Sequence, residues 1–302
     1  MVTENGQWPS LAYDEWKDTY ATLHLWTQIV GKVALAQGPP MNHSWSVAMM
    51  ITPRGLSTRT LPHGTRTFAM EFDFIDHQLV IRTSDGDVRS VRLAPRSVAD
   101  FYADVMATLA AMGLPVKIWP MPVEIPPPIV RFDKDERHGS YDPVLANRCW
   151  TILSKVEQVF EGARCDFVGK CSPVHFFWGG FDLAVTRFSG RPAPPRDGPA
   201  FMRGAYSQEV ISHGFWFGSA PVLEAAFYAY AVPEPPGLKA ARVQPKGAFY
   251  HGELGEFILP YETVRKSDSP EHAIVAFVDS TYDQAATLGR WNRAALERAP
   301  HA

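Results

Sequence analysis

The titratable side chains that could do chemistry are concentrated between residues 175 and 213. His175, Asp182 and Arg187 lie within one segment that is otherwise apolar, and Glu209 and His213 stand four positions apart in the next apolar segment. An imidazole beside a carboxylate can act as a general acid or base, and the same groups can bind a divalent metal ion. These five residues are our candidate catalytic residues, and their spacing leaves a metal-free site and a metal site both open.

Aromatic side chains accompany these groups and could line a pocket. Sites for small molecules are mostly apolar with a few placed polar groups, and Gly179-Gly180 would let a ligand approach the backbone closely. The pattern suits an enzyme, and it also suits a protein that binds a small ligand or a partner without catalysis. The candidate ligand-binding residues are His43, Trp178, Tyr206, Tyr228, Tyr230 and His251.

Structural roles compete with these assignments. Asp182 and Arg187 could form a buried ion pair beneath a core histidine, because a charge in an apolar strand needs a partner. Glu209 and His213 would point to the same side of a strand, where they could form ordinary hydrogen bonds. In either case the polar residues would stabilise the fold and carry no chemistry.

Motifs of the common cofactor and nucleophile sites do not occur. Gly31-Lys32 and Gly169-Lys170 lack the upstream glycine and the following Ser or Thr of a phosphate-binding loop. The chain contains no G-x-G-x-x-G, G-x-S-x-G or H-E-x-x-H sequence. We therefore expect no nucleotide cofactor. Cys171 and His175 could form a nucleophile and its base, but a strand would place them far apart, which disfavours this pairing.

Composition excludes further classes of protein. The 302 residues include 29 Lys+Arg and 32 Asp+Glu, a formal net charge of −3, whereas nucleic-acid binding needs a basic surplus. The apolar runs are shorter than the roughly 20 residues that span a bilayer, and the N-terminus lacks a secretory pattern. Three cysteines are too few for a disulfide framework. We expect a cytoplasmic protein that binds neither nucleic acid nor membrane, with its oligomeric state left open.

Helices and antiparallel strands must position the candidate residues. In the first half, apolar residues at helical spacing predict helices over 10–33 and 97–112, and Ser84-Asp85-Gly86-Asp87 marks a hairpin. A proline-rich segment, 119–140, predicts an extended strap. The alternating segments predicted as strands are 43–52, 67–74, 78–83 and 88–93.

The second half repeats this plan. Helical spacing predicts one helix over 143–160 and a final helix over 270–297, broken near Gly289. The candidate catalytic residues fall on strands between these helices. The predicted strands are 164–168, 175–187, 209–216, 225–231, 248–251 and 256–259.

Several long strings rich in Trp, His and Gly resemble an uncharacterised bacterial family known as domain of unknown function 5996. The resemblance covers nearly the whole chain and implies a full-length bacterial protein, but it brings no known activity, substrate or catalytic residue. The strings that carry it are TLHLWTQIVGKV (22–33), MNHSWSV (41–47), EFDFIDHQLVIRTSDG (71–86), VKIWPMPVEIP (116–126), GKCSPVHFFWGGFDLAVTRFSGR (169–191) and FYAYAVPEPPG (227–237).

The sequence thus predicts an α+β protein of two similarly organised halves, each an antiparallel β-sheet with flanking helices, as an internal duplication would produce. The expected parts are an N-terminal half (1–118), the strap (119–140) and a C-terminal half (141–302) that carries the site. Our leading hypothesis is a small-molecule enzyme that uses His and carboxylate groups in an aromatic pocket. The alternative is a non-catalytic ligand-binding or interaction protein.

Overall fold

A computed structural model describes residues 8–195 and 200–298. Over these residues the fold is α+β, with seven helices and two antiparallel sheets of six strands each. The chain divides into two compact units, and both are discontinuous in sequence. The N-terminal unit contains residues 11–154 and 176–182, and the C-terminal unit contains residues 8–10, 155–175 and 183–298.

The N-terminal unit is built on a meandering sheet. Its central strands are ordered β1-β2-β4-β5-β6, and β3 pairs with β4. Asp73 ends β4, and its Oδ1 accepts the backbone N–H groups of Ile75 and Asp76, each at 2.9 Å, which fixes the turn to β5. The strands are β1 (Met50–Thr52), β2 (Gly55–Ser57), β3 (Leu61–His63), β4 (Arg66–Asp73), β5 (Gln78–Thr83) and β6 (Val88–Arg92).

Helices α1 (Tyr13–Gln37) and α2 (Val98–Ala111) complete this unit with the first part of α3 (Pro143–Arg164). Nearly the whole circumference of α1 is buried between residues 19 and 34, so it is a core helix rather than a surface one. Ser97 caps α2, because its hydroxyl accepts the N–H of Asp100 at 3.0 Å.

The second meandering sheet is ordered β11-β12-β10-β9-β8-β7, and all of it except residues 176, 177 and 182 belongs to the C-terminal unit. Side chains alternate across it: Phe215 and Phe227 meet on one face with ring centroids 4.9 Å apart, whereas Tyr228 and Tyr230 stack on the other. The strands are β7 (His175–Phe177), β8 (Asp182–Pro192), β9 (Gln208–Trp216), β10 (Ala226–Val232), β11 (Phe249–His251) and β12 (Glu256–Pro260).

One face of this sheet is covered by α6. The buried side of α6 includes Phe277, Thr281 and Tyr282, and the helix packs on β9 and β10. It begins with a proline in its first turn and ends at Gly289, where the sequence predicted the break. The helices of this unit, besides the end of α3, are α4 (Ala200–Ala205), α5 (Tyr261–Arg265), α6 (Pro270–Leu288) and α7 (Arg293–Leu296).

Three predicted strands differ from the structure. The first part of 43–52 is a 3-10 turn, because His43 and Ser44 adopt φ values of 55° and 58°, which a strand excludes. The strand predicted at 164–168 is wrong, since α3 continues to Arg164 and a turn follows. The strand predicted at 175–187 is two strands, β7 and β8, separated by a turn in which Phe181 has φ 54°.

The predicted fold class is confirmed, whereas the internal duplication and the domain boundaries stay predictions. Both sheets follow chain order closely, but β3 lies beside its sheet's path and β11 and β12 exchange places in the other. Within residues 8–195 and 200–298, none of the helices combines the length and apolar character needed to span a bilayer.

Candidate functional site

The candidate catalytic residues of the C-terminal unit do not share one set of hydrogen-bond partners. Glu209 accepts hydrogen bonds from Ser189 at 2.9 Å and from the Arg191 Nε at 2.8 Å. His213 bonds instead to Thr281 of α6, with 3.0 Å between its Nε2 and the hydroxyl oxygen. Glu209 and His213 share a strand face, as predicted, but each has its own partners.

Two further candidate residues, His175 and Asp182, lie on the β7–β8 hairpin. His175 is buried, and its Nδ1 lies 2.5 Å from the carbonyl oxygen of Pro173. Asp182 belongs to the N-terminal unit, whereas Arg187 belongs to the C-terminal unit. Among the described residues Arg187 forms no ion pair, so the Asp182–Arg187 pair considered from the sequence is not present.

Arg187 is a buried charged residue with incomplete hydrogen bonding. Its side chain is 4% exposed, and burial lowers the pKa of its guanidinium. Nη2 donates to the carbonyl of Ala163 at 2.8 Å, near the C-terminal end of α3, where a cation is favoured by the unpaired carbonyls. The Nε and Nη1 atoms are buried and have no hydrogen-bond partner. Arg187 therefore keeps unused donors in the interior.

His213 lies within electrostatic range of this guanidinium. Burial lowers the pKa of His213 well below its ordinary value, and the charge of Arg187 lowers it further. Thr281 donates its hydroxyl hydrogen to the carbonyl of Phe277 at 2.6 Å, so its oxygen accepts the Nε2–H of the imidazole. The Nδ1 of His213 is then a buried acceptor without a partner. Two of the five predicted residues are thus brought together, each with unused hydrogen-bonding capacity.

A cavity of about 480 Å³ opens at Arg187. Its buried floor consists of Arg187, Phe167 and Tyr282, and the Tyr282 ring centroid lies 4.6 Å from the guanidinium carbon. The volume is within the range of small-molecule sites, and Phe167 and Tyr282 are the two aromatic residues of a largely charged lining. The rim consists of charged side chains, Asp166, Asp279, Asp283, Arg293, Glu297 and Arg298.

Some of the rim charges neutralise each other. Arg293 donates to Asp283 at 2.6 Å and to Glu297 at 2.5 Å. Asp166 and Asp279, by contrast, have no side-chain partner among the described residues. These two carboxylates line the same cavity as Arg187.

Asp279 combines solvent contact with partial desolvation. Desolvation raises the pKa of its carboxyl above the ordinary value, the charge of Arg187 offsets part of this effect, and the neighbouring Asp283 and Asp166 add to it. A carboxyl with a raised pKa carries a proton closer to neutral pH. This direction of the pKa suits a carboxyl that transfers a proton.

Four predicted ligand-binding residues lie in the C-terminal unit outside this cavity. Tyr206 and Tyr230 line a second cavity of about 420 Å³, with their hydroxyl oxygens 3.1 Å apart. Tyr228 packs in a core cluster with Ala226, and His251 accepts the N–H of Leu254 at 3.3 Å.

The other two, His43 and Trp178, lie in the N-terminal unit. The indole N–H of Trp178 donates to the carbonyl of Val47 at 2.9 Å, and its ring packs against Gly31. His43 is buried beside Trp45. Both residues are parts of the core.

The His and carboxylate residues predicted as possible metal ligands do not form a metal site among the described residues. Within the described ranges, no three His, Cys, Asp or Glu side chains are grouped closely enough to hold a metal ion. Cys171 does not suit a nucleophile either, because desolvation raises the pKa of its thiol, whereas a reactive cysteine needs a lowered one.

Sequence reasoning missed most of the cavity. Phe167 follows the end of α3, and Asp279 and Tyr282 come from α6, so the cavity gathers residues from segments far apart in the chain. The signal available was the helical spacing of α6, which places Asp279, Tyr282 and Asp283 on adjacent parts of one face. Nothing in the sequence linked that face to Arg187.

The comparison with known proteins identifies the same family that the sequence resembles. Neither a search of curated proteins nor a search of solved structures gave a match. The model of a family of unknown function, DUF5996, matches residues 8–298. With nearly all of its length matched, the chain belongs to the family of unknown function DUF5996.

Proposed function

We propose that the C-terminal unit binds a small molecule through an anionic group held by Arg187. The observation that carries the proposal is the pair of unpartnered guanidinium nitrogens, Nε and Nη1, on a buried side chain that lines the cavity. A buried donor without a partner costs about 1–3 kcal/mol, and more when it is charged. A carboxylate or phosphate oxygen would remove that cost and neutralise the charge.

The surroundings of Arg187 favour a ligand over an internal partner. The ring of Tyr282 covers one face of the guanidinium, and Phe167 lies 5.8 Å from it, so an anion would approach along its edge. The unpartnered nitrogens are not exposed to solvent. Binding therefore requires a small outward shift of the side chains at the cavity floor.

Acid–base catalysis is the second candidate, and Asp279 is the observation that favours it. This carboxyl lines the same cavity as Arg187 and has a raised pKa with no hydrogen-bond partner. A ligand anchored at Arg187 would have its other end near Asp279, which could give it a proton or take one. Under this second candidate function, the chain is a small-molecule enzyme that uses a carboxyl group as its acid or base and needs no nucleotide cofactor.

Calorimetric titration of the full chain with benzoate and with inorganic phosphate tests the binding proposal. Benzoate offers a carboxylate for Arg187 and a ring for the aromatic floor. We expect at least one of the two anions to bind, and Arg187→Met to weaken that binding about 100-fold, as expected for loss of a buried charged contact. The matched control is Arg191→Gln, on the same strand but outside the cavity.

Two outcomes would overturn the proposal. One is that neither anion binds to the wild-type chain. The other is equal binding to the wild type and to Arg187→Met. Folding of each variant is checked by its circular dichroism spectrum, so that a lost signal is not mistaken for unfolding.

A further inference from the structure

The cavity at Arg187 contains both positively and negatively charged side chains that form no close ion pair within the described residues. Arg293 is occupied by Asp283 and Glu297. What remains is Arg187 at the floor and Arg298 at the rim, against the carboxylates of Asp166 and Asp279. A ligand with a single negative charge would satisfy the guanidinium groups and meet two unpaired carboxylates.

The positive and negative side chains lie at different depths in the cavity. Arg187 is buried, whereas Asp166 and Asp279 are exposed. An ammonium group is strongly hydrated and keeps more of its water at an exposed rim, whereas a carboxylate can be desolvated against a buried guanidinium. The order of charges from floor to rim therefore matches a molecule with a carboxylate at one end and an ammonium close by.

We propose that the ligand is zwitterionic, a free amino acid or a related amino-carboxylate, with its carboxylate on Arg187 and its ammonium facing Asp279 and Asp166. This inference rests on the proposed function. The rings of Phe167 and Tyr282 line the same cavity and would contact the ligand's apolar part. A dianion such as phosphate fits less well, because it would bring two further negative charges to an acidic rim.

The first test is a thermal-shift screen of the full chain against the twenty common free L-amino acids. We expect at least one of them to raise the melting temperature, because a ligand that binds only the folded state stabilises it. If none of the twenty does so, the zwitterion proposal is overturned. Each amino acid that binds is then compared by calorimetry with its N-acetyl form and its carboxamide form.

Removal of either the ammonium charge or the carboxylate charge from the amino acid should weaken its binding. We expect both modified forms to bind at least tenfold more weakly than the free amino acid. Asp279→Asn should weaken the free amino acid about tenfold and leave the N-acetyl form unchanged, and the control Asp268→Asn, an exposed position outside the cavity, should change neither.

The two proposals fail in different ways. If the N-acetyl form binds as tightly as the free amino acid, and Arg187→Met weakens both, the ammonium site is wrong and the anion site stands. If Arg187→Met changes the binding of neither form, the anion site itself is wrong.

Discussion

Buried charges are treated differently in the two units. In the N-terminal unit, Asp73 is 2% exposed and accepts bonds from Arg54 and from two backbone N–H groups. Asp135, equally buried, accepts bonds from the His138 ring and from backbone N–H groups. In the C-terminal unit, Arg187 makes one hydrogen bond and leaves two nitrogens unpartnered. The two buried carboxylates therefore have their hydrogen bonds within the fold, whereas the buried guanidinium of Arg187 does not.

Lys32, in the N-terminal unit, is an exception to this difference between the units. Its side chain is 5% exposed and has no ion pair within the described ranges. Its ammonium lies 5.0 Å from the ring centroid of Trp119 and 5.9 Å from that of Trp178. Two indole faces thus take the place of a carboxylate, as cation–π contacts do.

The largest expected effect is an acid sensitivity of the N-terminal unit at His24. Burial lowers the pKa of His24 to about 4, and its Nε2–H donates to the carbonyl of Gly179 at 2.7 Å. Because the unfolded chain takes up this proton near pH 6.5, stability falls as the pH drops from 6.5 to 4, by roughly 3 kcal/mol. Urea unfolding across this range should show a shallower pH dependence for His24→Gln than for the wild type. Equal slopes would contradict the assignment.

The next effect compares two glycines under aromatic rings. A Cβ at Gly31 would overlap the Trp178 ring, and a Cβ at Gly214 would overlap the Tyr228 ring. We expect Gly31→Ala and Gly214→Ala each to cost about 2 kcal/mol of unfolding free energy, because neither ring has room to move in a packed core. Gly162→Ala, where nothing lies within 4 Å, is the control and should be neutral or slightly stabilising. A neutral result at Gly31 or Gly214 would show that the packing is loose.

A pair of arginine substitutions tests the contrast of buried charges itself. Arg187→Met removes a buried charge that forms no close ion pair within the described residues, so in the absence of ligand it should raise the unfolding free energy by about 1.5 kcal/mol. Arg54→Met strands the buried carboxylate of Asp73 and should lower the urea midpoint. A rise in stability for Arg187→Met together with a fall for Arg54→Met would support the difference between the two buried charges. A loss of stability in both variants would mean that Arg187 is a structural residue like Arg54.

The smallest effect concerns Glu157 in the C-terminal unit. Desolvation, with some repulsion from Glu161, raises the pKa of Glu157 to about 7. The folded state therefore holds a proton that the unfolded state has released, and stability falls as the pH rises from about 4.5 through 7. Glu157→Gln should be more stable than the wild type by about 1 kcal/mol at pH 8, after solvent screening, and equal to it at pH 4. Chemical unfolding at both pH values checks this, and a difference that grows toward acid would refute it.

Sequence reasoning succeeded where the signal is local. Period-2 alternation located β4, β5 and β9 to within a residue or so, and Gly289 marked the end of α6. Strands β2 and β3 were missed because three residues are too few for a period. The 3-10 turn at His43 was missed because its positive φ is set by tertiary contacts rather than by residue type.

The candidate site was predictable only in part. Arg187, which lines the cavity, was singled out because a charge stands out on an apolar strand. Asp279 and Tyr282 were not, because their relation to Arg187 depends on how α6 packs on the sheet. The other predicted residues do not line this cavity, and their roles stay predictions.

The central claim, that Arg187 is the anion contact of a small-molecule cavity, is tested most directly by NMR of the arginine Nε–H groups. The Arg187 signal is identified by its loss in Arg187→Met, and benzoate is then titrated into the wild-type chain. The account predicts that the Arg187 Nε–H signal shifts more than that of any other arginine, because this donor gains an ionic acceptor. An unchanged Arg187 signal while benzoate binds elsewhere would contradict it.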